Sequence, residues 1–429
     1  MVIVPEASCY DVFATRLTER PEFRTLQGRV IDVVEQYTYL GCLVDRNLSL
    51  LSVVRDRAEK GRRALMALKP FLSNSTIPLA LRAIVFKGTV LQTLLYGAEL
   101  WGGSTSRVSK IQSVVNLGLR TLLGHSLQST MPATLAMCRE VHCPPIMVSA
   151  LARRLRAFNK FASLRTWIPL LMANGPGRHS KGSWVAATKS LVTKHNAIPL
   201  QIDRAGRQRR ENDDEVLIRV HHAVWHSLET KPNVAHATVL YLQSGFELTA
   251  VSDRRFEWSA ARGRDLVHLI RARVGSYVTA HRMRHIDSSE GLCVFCGAGS
   301  RETTAHVLVE CSEWRQLRAS LLASLIRQAS QLLHGHAPRL RATPTNVSCL
   351  LLGGAASGVR LPLWSGLRDK EEDDSDAVSD DLSLSSDVES DTSPNLSAQS
   401  SAPCYAVARF LSRVSVARRL HLAAAAEQP

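Results

Sequence analysis

The 429-residue sequence lacks several features that would place it in a common class of protein. No segment approaches the roughly 18 consecutive apolar residues needed to cross a bilayer, and residues 1–6 have neither a basic lead nor a long apolar run. No Gly-x4-Gly-Lys phosphate-binding loop is present. These absences argue against a membrane-spanning, secreted or P-loop protein, so we expect a soluble, intracellular chain without a membrane partner.

Cysteine is infrequent, with nine residues in the chain, and most of it is scattered. Six cysteines form no framework of the kind found in disulfide-rich secreted domains, as expected in a reducing compartment. They are Cys9, Cys42, Cys138, Cys143, Cys349 and Cys404. We expect Cys138 and Cys143 to be packing residues of a hydrophobic core.

The remaining three cysteines share one short segment with a histidine. Cys293, Cys296, His306 and Cys311 have the spacing C-x2-C-x9-H-x4-C. Three thiolates and one imidazole fill a tetrahedral Zn2+ site and leave no position for a reactive water, so the pattern predicts a structural zinc ion. A short helix is predicted over residues 303–311, with Cys311 just past its end. The alternative is that these four residues are unrelated and merely buried.

The net charge of +15 is unevenly distributed. Residues 369–391 contain 11 acidic residues and one basic residue, whereas residues 1–368 contain 48 basic and 26 acidic residues, a net +22. A body this basic usually meets a polyanion, with DNA or RNA as the first candidate. The serine-rich acidic stretch 369–401 is predicted to be a disordered insertion.

Helical periodicity dominates the chain after a few short predicted strands at residues 2–4, 29–34 and 37–44. Residues 49–68 predict an amphipathic helix that Pro70 ends, with a basic outer face formed by Arg55, Arg57, Lys60, Arg62 and Arg63. Further helices are predicted from Pro78 to Gly97, from Ser104 or Ser106 to Gly124, from Met131 onward, and over residues 146–164. The predicted fold is mainly α-helical with a small N-terminal β element.

Rows of basic residues are the predicted contacts to nucleic acid, because guanidinium groups match a phosphate backbone without reading bases. They are Arg55, Arg62, Arg63, Arg153, Arg154, Arg156, Lys160, Arg207, Arg209 and Arg210, with Arg204 beside the last three. The alternative is that these charges form ordinary solvated helix faces.

Several motifs carry a resemblance to a known family. They are Val-Ile-Asp at 30–32, Tyr-Thr-Tyr-Leu-Gly at 37–41, Leu-Tyr-Gly-Ala-Glu-Leu-Trp at 95–101, Ile-Gln at 111–112, and the Cys-x2-Cys, Glu302-Thr303, His306 and Cys311 order. This order resembles the part of non-LTR retrotransposon reverse transcriptases that follows the catalytic palm. Residues 254–281, 350–354 and 407–411 resemble further helices of the same proteins, so the resemblance covers almost the whole chain.

One departure from that family limits the expected activity. Its polymerases hold two divalent metals with paired aspartates in a palm hairpin. The Asp-Asp pairs of this chain, at 213–214, 373–374 and 380–381, stand in polar or acidic stretches instead. The resemblance therefore implies a chain that does not polymerise DNA by itself, has no catalytic residues of its own, and grips RNA or DNA during target-primed reverse transcription in the nucleus.

The resemblance also implies a division of the chain. Residues 1–48 would be the end of the palm, 49–175 a thumb-like basic helical region, 176–250 a helical connector, and 251–345 a helical segment with the zinc site. Terminal helical elements are expected at 346–368 and 402–424, with the acidic insertion 369–401 between them.

Three classes of function follow from these patterns. The first is a nucleic-acid-binding fragment of a reverse transcriptase that works with a polymerase domain in trans. The second is a zinc-stabilised protein interaction module in which the helix 405–420 docks a partner through Val407, Phe410, Leu411 and Val414. The third is a zinc hydrolase, which would need a vacant coordination position.

Overall fold

The computed structural model describes residues 23–24, 26–31, 34–45, 49–124, 134–174, 183–194, 226, 236–246, 260–287, 290–336, 342–356, 359, 361 and 403–426. This part of the chain is mainly α-helical with two small sheets near its start, which confirms the predicted fold class. The chain forms two compact units: the first contains Met1–Leu72, Ala83–Thr121 and Cys143–Asn233, and the second contains Ser73–Arg82, Leu122–His142 and Val234–Pro429. Each unit thus combines separated stretches of sequence, and the predicted segment boundaries remain predictions.

Two antiparallel strand pairs open the described structure. β1 (Phe23–Arg24) pairs with β2 (Val30–Ile31), and β3 (Gln36–Tyr39) pairs with β4 (Cys42–Asp45). Leu40 and Gly41 form the second turn with φ values of 45° and 80°, as a two-residue hairpin turn requires. The strand segment predicted over residues 37–44, with Gly41 as a turn or close-contact position, is therefore a hairpin. The strand predicted at residues 2–4 lies outside the described residues.

α1 (Leu50–Ser73) runs past the proline that was predicted to end it, with Pro70 inside the helix. Proline in a helix interior costs about 3 kcal/mol. The continuing turn, however, buries Leu72 completely, and full burial of a leucine stabilises by about 1.5–3 kcal/mol. Burial of Leu72 therefore offsets much of the cost of Pro70 within the helix.

Arg57 corrects the predicted outer face of α1. Its side chain is buried, and its guanidinium donates to the carbonyl of Gly41. The guanidinium carbon lies 4.7 Å from the ring centroid of Tyr96. The Tyr96 hydroxyl donates to the Leu40 carbonyl at 2.6 Å. Arg57 thus attaches the hairpin turn to α1, whereas Arg55, Arg62 and Arg63 are exposed as predicted.

The helices predicted from Pro78 to Gly97, from Ser104 or Ser106 to Gly124, from Met131 onward and over residues 146–164 are confirmed. They are α2 (Leu79–Val85), which continues through a π-helical turn (Phe86–Leu91) into α3 (Gln92–Leu95), then α5 (Thr105–Leu122), α6 (Thr134–Glu140) and α7 (Ile146–Ala162). The structure adds α4 (Ala98–Trp101), α8 (Ile168–Asn174) and α9 (Trp184–Lys194). Leu65, Phe86, Leu94, Trp101 and Ile111 are fully buried in the first unit. Cys138 and Cys143 are buried as predicted, and burial raises the pKa of the Cys143 thiol to about 12.

The second unit contains the remaining helices. They are α10 (His236–Gln243), α11 (Ala260–Arg273), α12 (Ala280–Asp287), α13 (Arg315–Leu321), α14 (Ala323–His336), α15 (Pro344–Leu351) and α16 (Pro403–Ala426). α16 packs along α11, and the Tyr277 hydroxyl donates to the Leu411 carbonyl at 2.7 Å. No helix in the described ranges combines the length and apolar character needed to cross a bilayer.

The C-terminal helix does not offer the apolar face that was predicted to dock a partner. Val407, Phe410, Leu411 and Val414 are at most 2% exposed, because this side of α16 faces the interior. That prediction is wrong, since the same residues supply core packing that the helix needs for its own stability.

A buried polar network also belongs to the second unit. The Tyr241 hydroxyl donates to the Glu140 carboxylate at 2.7 Å, and a terminal nitrogen of Arg273 lies 3.3 Å from the same carboxylate. Nε of Arg273 donates to the Leu352 carbonyl at 2.7 Å. Burial and the neighbouring Glu140 both raise the pKa of Tyr241, so its hydroxyl stays protonated as a donor. The network connects α6, α10, α11 and the end of α15.

Candidate metal centre

The first two predicted ligands lie in a tight turn between two paired backbone segments. Leu292 and Arg301 form an antiparallel bridge, and the N–H of Cys293 donates to the Ser300 carbonyl at 2.8 Å. Gly297 and Gly299 have φ values of 61° and 60°. Only glycine adopts such values without strain, so these two residues let the chain reverse directly after Cys296.

The other two ligands lie at the two ends of a short helical turn. The Thr303 hydroxyl accepts a hydrogen bond from the N–H of His306 at 3.1 Å and so caps the start of the turn. A π-helical turn spans His306–Glu310, and the N–H of Cys311 donates to the His306 carbonyl at 2.8 Å. The wider π-helical pairing brings residues five apart to one side. The short helix is thus confirmed, with Cys311 just past its last residue.

The four ligand atoms converge on one point. All of them lie within 4.8 Å of one another, with 3.8 Å between the Sγ atoms of Cys293 and Cys311 and 3.6 Å between Cys296 Sγ and His306 Nε2. Zn–S bonds of about 2.3 Å and Zn–N bonds of about 2.0–2.1 Å at tetrahedral angles require about 3.8 Å and about 3.5–3.6 Å for such pairs. Two of the donor pairs therefore have the separations of a tetrahedral zinc site, and all four donors lie close enough to bind one ion.

Burial shapes the chemistry of the cluster. Cys293, His306 and Cys311 are buried, and Cys296 is half-buried. Desolvation raises the pKa of Cys293 and raises that of Cys311 to about 12, whereas the N–H of Ala298 is the main cause that lowers the pKa of Cys296. A divalent cation among these sulfurs would favour their thiolate forms, because metal binding and thiol deprotonation are coupled.

The outer nitrogen of the histidine faces a carboxylate. Nε2 of His306 points toward Cys296. Nδ1 therefore faces away from the other candidate ligands and lies 3.4 Å from an oxygen of Glu310. Carboxylates in this position commonly orient a ligating imidazole and fix its tautomer. This distance is longer than a good hydrogen bond, so the contact is mainly electrostatic.

Arg318 contacts the end of the helical turn that carries His306 and Cys311. Its buried guanidinium donates to the Val307 carbonyl at 3.3 Å and to the Cys311 carbonyl. These carbonyls end a helical turn and would otherwise have few partners. Burial lowers the pKa of Arg318, and the Cys311 sulfur acts in the opposite direction. The arginine thus satisfies the backbone and places positive charge beside the cysteine.

Glu302 connects the stretch that carries the four candidate ligands, Cys293 to Cys311, to the C-terminal helix, and we call this stretch the metal segment. Its carboxylate is 1% exposed, accepts the N–H of Ala280 at 2.6 Å, and forms an ion pair with Arg418 of α16 through both oxygens. The sequence identified Glu302 only as part of the family-like residue order, because its partners lie 22 and 116 positions away. No local pattern contains that information.

Aromatic contacts reinforce this connection. The Phe295 ring, between the two first cysteines, lies 5.0 Å from the Trp314 ring and 5.2 Å from the His421 ring. The guanidinium carbon of Arg418 lies 5.9 Å from the Phe295 centroid. The metal segment is therefore attached to the end of α16 by one buried ion pair and one aromatic cluster.

The predicted phosphate contacts differ widely in exposure. Arg55, Arg62, Arg63 and Lys160 are exposed, whereas Arg153 and Arg156 are half-buried. Arg153 donates to the Leu95 carbonyl at 3.1 Å and to the Gln92 side chain. Arg204, Arg207, Arg209 and Arg210 lie outside the described residues. For these residues, nucleic-acid contact remains a prediction.

Arg154 has a structural position instead of the predicted phosphate contact. Its side chain is buried and donates to the Thr188 hydroxyl at 2.8 Å, to the Trp184 carbonyl at 3.1 Å and to the Gly102 carbonyl. Burial lowers its pKa to about 10, so it stays charged at neutral pH. Because the Arg154 side chain is only 4% exposed, its guanidinium cannot reach a phosphate, and it instead holds α4, α7 and α9 together.

No protein-family model and no curated protein matches this sequence. The candidate metal site is therefore supported only by the positions of Cys293, Cys296, His306 and Cys311.

Proposed function

We propose that the chain is a nucleic-acid-binding C-terminal fragment of a non-LTR retrotransposon reverse transcriptase. In this role it grips RNA and target DNA during target-primed reverse transcription, while a polymerase domain acts in trans. The convergence of Cys293, Cys296, His306 and Cys311 carries the proposal, because these residues belong to the motif order on which the family resemblance depends. No residue of this chain is assigned a catalytic role.

We further infer that the bound ion is Zn2+ and that its role is structural. Thiolate and imidazole donors suit zinc, whereas Mg2+ and Ca2+ prefer oxygen ligands. Four protein ligands complete a tetrahedron and leave no open position, which disfavours the hydrolase alternative. The ion would hold the turn at Cys293 and the helical turn at His306 against each other, so its binding free energy becomes folding free energy.

Charge supports the nucleic-acid partner. The net +22 of residues 1–368 and the exposed Arg55, Arg62 and Arg63 provide a positive surface that a phosphate backbone would neutralise. The protein-interaction alternative loses its predicted docking residues, since those of α16 are buried. Nuclear localisation would follow from the proposed function.

Two measurements on the purified chain test this proposal. Metal analysis should find one zinc per chain, and fluorescence anisotropy should show binding to RNA and DNA that weakens steeply with salt and varies little with sequence. Arg63→Gln should weaken binding slightly without unfolding, because that side chain is exposed. A chain that holds no zinc and ignores both nucleic acids at low ionic strength would overturn the proposal.

A further inference from the structure

A second basic surface lies beside the metal segment, on helices that the sequence did not assign to nucleic-acid contact. Arg264, His268 and Arg271 stand at positions i, i+4 and i+7 of α11 and so share one face of that helix. Arg419 belongs to α16, which packs along α11. We call Arg264, Arg271 and Arg419, with His268 among them, the α11–α16 basic face.

The positive charges on this face act on one another. Burial first, and then the charges of Arg271 and Arg419, lower the pKa of His268 to about 4. Burial and Arg419 lower the pKa of Arg271 to about 10. The packing of α16 along α11 brings Arg419 near enough for its charge to act on both residues.

No compensating carboxylate relieves this repulsion among the described residues. Elsewhere in the second unit, Arg273 and Arg418 are each paired with a buried glutamate. Arg264, Arg271 and Arg419 have no such partner in the described part of the chain, and the one acidic residue of α11 is Asp265, next to Arg264 in sequence. Unrelieved like charge on two packed helices is a cost that an anionic ligand would remove.

The face is also partly preorganised. Nε of Arg271 donates to the Leu123 carbonyl at 2.7 Å, and a terminal nitrogen donates to the Gly124 carbonyl. These bonds fix the guanidinium in one orientation before any ligand arrives. Arg264 and Arg419 are exposed, and Nε of Arg419 lies 3.5 Å from the Ser415 carbonyl of its own helix. Several arginines spread over two packed helices suit the repeated phosphates of a backbone better than a single small anion.

We propose that the α11–α16 basic face binds the phosphodiester backbone of the nucleic acid. This inference rests on the proposed function and adds that the metal-bearing unit contacts nucleic acid directly, through residues distinct from the predicted series Arg55 to Arg210. The metal segment positions the face, because Glu302 pairs with Arg418, the residue before Arg419. Zinc binding and phosphate binding are therefore coupled through the last turns of α16.

The test compares two double variants of the full chain that change charge equally. Arg264→Gln with Arg419→Gln removes two contacts from the face. Arg409→Gln with Arg413→Gln is the matched control, because both arginines are exposed on α16 but lie at other angles around the helix. Zinc content and thermal unfolding should be unchanged in both variants, since exposed substitutions perturb stability little.

Anisotropy titrations with a short RNA and a DNA duplex over a salt series provide the readout. The face variant should bind about tenfold more weakly, and its slope of log affinity against log salt should fall by about 1.4–1.8, the loss expected for two phosphate contacts. The control variant should change far less. Equal effects of the two variants would show that only net charge matters and would overturn the inference.

Two further outcomes separate this inference from the proposed function. If the unmodified chain binds no nucleic acid, both fail together. If it binds and the face variant is indistinguishable from it, only the α11–α16 basic face is refuted. Loss of binding to vesicles containing an anionic lipid, with nucleic-acid binding intact, would also overturn the inference because the phosphate source would then be a membrane.

Discussion

Removing the guanidinium of Arg418 tests how strongly the metal segment depends on the C-terminal helix. Arg418→Met keeps most of the side-chain volume but leaves the carboxylate of Glu302 buried, with the N–H of Ala280 as its remaining described partner. Breaking a buried ion pair by removing one member costs about 3–5 kcal/mol. Domains are stable by about 5–15 kcal/mol, so this variant should lose about a fifth or more of the stability of its unit.

A second substitution separates the loss of the Arg418–Glu302 attraction from the cost of leaving the Glu302 carboxylate buried and unpaired. Glu302→Gln in the Arg418→Met background removes the buried negative charge, and we expect it to restore about 2 kcal/mol or more. Glu302→Gln alone should cost less than Arg418→Met alone, because a neutral amide is easier to bury than an unpaired carboxylate. The double-mutant cycle then gives the coupling energy of the pair.

The assay must report on the metal segment itself. Chemical unfolding followed by circular dichroism gives the free energy of unfolding, and transfer of zinc to a chromophoric chelator reports when Cys293 to Cys311 loses its structure. Arg418→Met should shift both transitions to lower denaturant, whereas Arg413→Gln on the exposed side of α16 should shift neither. A change below about 0.5 kcal/mol in Arg418→Met would refute the claim that this pair holds the segment.

Three other expectations follow from the same structure. Cys311→Ser should lose stoichiometric zinc and the order of residues 291–311, while Cys349→Ser, outside the cluster, should keep the metal; retention of full zinc affinity by Cys311→Ser would contradict the ligand set. Arg154→Met should destabilise the first unit by about 2–4 kcal/mol, because it leaves buried acceptors without a donor. The slope of log RNA affinity against log salt should stay unchanged in the folded protein, and a reduced slope would show that Arg154 is a phosphate contact after all. The folded-state pKa of His268 is lowered from 6.5 to about 4, so its contribution to stability is complete above pH 6.5 and is lost as pH falls toward 4. His268→Gln should remove at most about 3 kcal/mol of that pH dependence, measured as the free energy of unfolding of the variant and of the unmodified chain over this pH range.

The sequence predicted the metal cluster and the main helices because both depend on local spacing. Two cysteines separated by two residues, followed by a capped turn with His306 and Cys311 at its ends, specify a ligand set within 19 residues. The repeats of apolar residues likewise located α5 and α7 to within a few positions. Such patterns predict the folded structure correctly because they depend on residues that are close in sequence.

The errors fall where distant residues decide the outcome. Pro70 ends a helix by local rules, but burial of Leu72 extends it. Arg57 and Arg154 look like members of charged surface rows, yet each meets backbone carbonyls from another element and becomes internal. A row of arginines specifies positive charge without specifying which members face solvent. That choice is made by packing between helices, which no local periodicity records.

Metal binding would give this site a charge that the buried Arg318 would offset. Three thiolates and one divalent cation would leave one net negative charge in a largely buried segment, and an unpaired buried charge is strongly unfavourable. Arg318 lies directly against this segment through the carbonyls of Val307 and Cys311, so the same guanidinium satisfies a helix end and offsets the charge. Without the metal its burial would be harder to compensate, because burial alone lowers its pKa. Metal binding and the docking of α13 should therefore be cooperative, each making the other less costly.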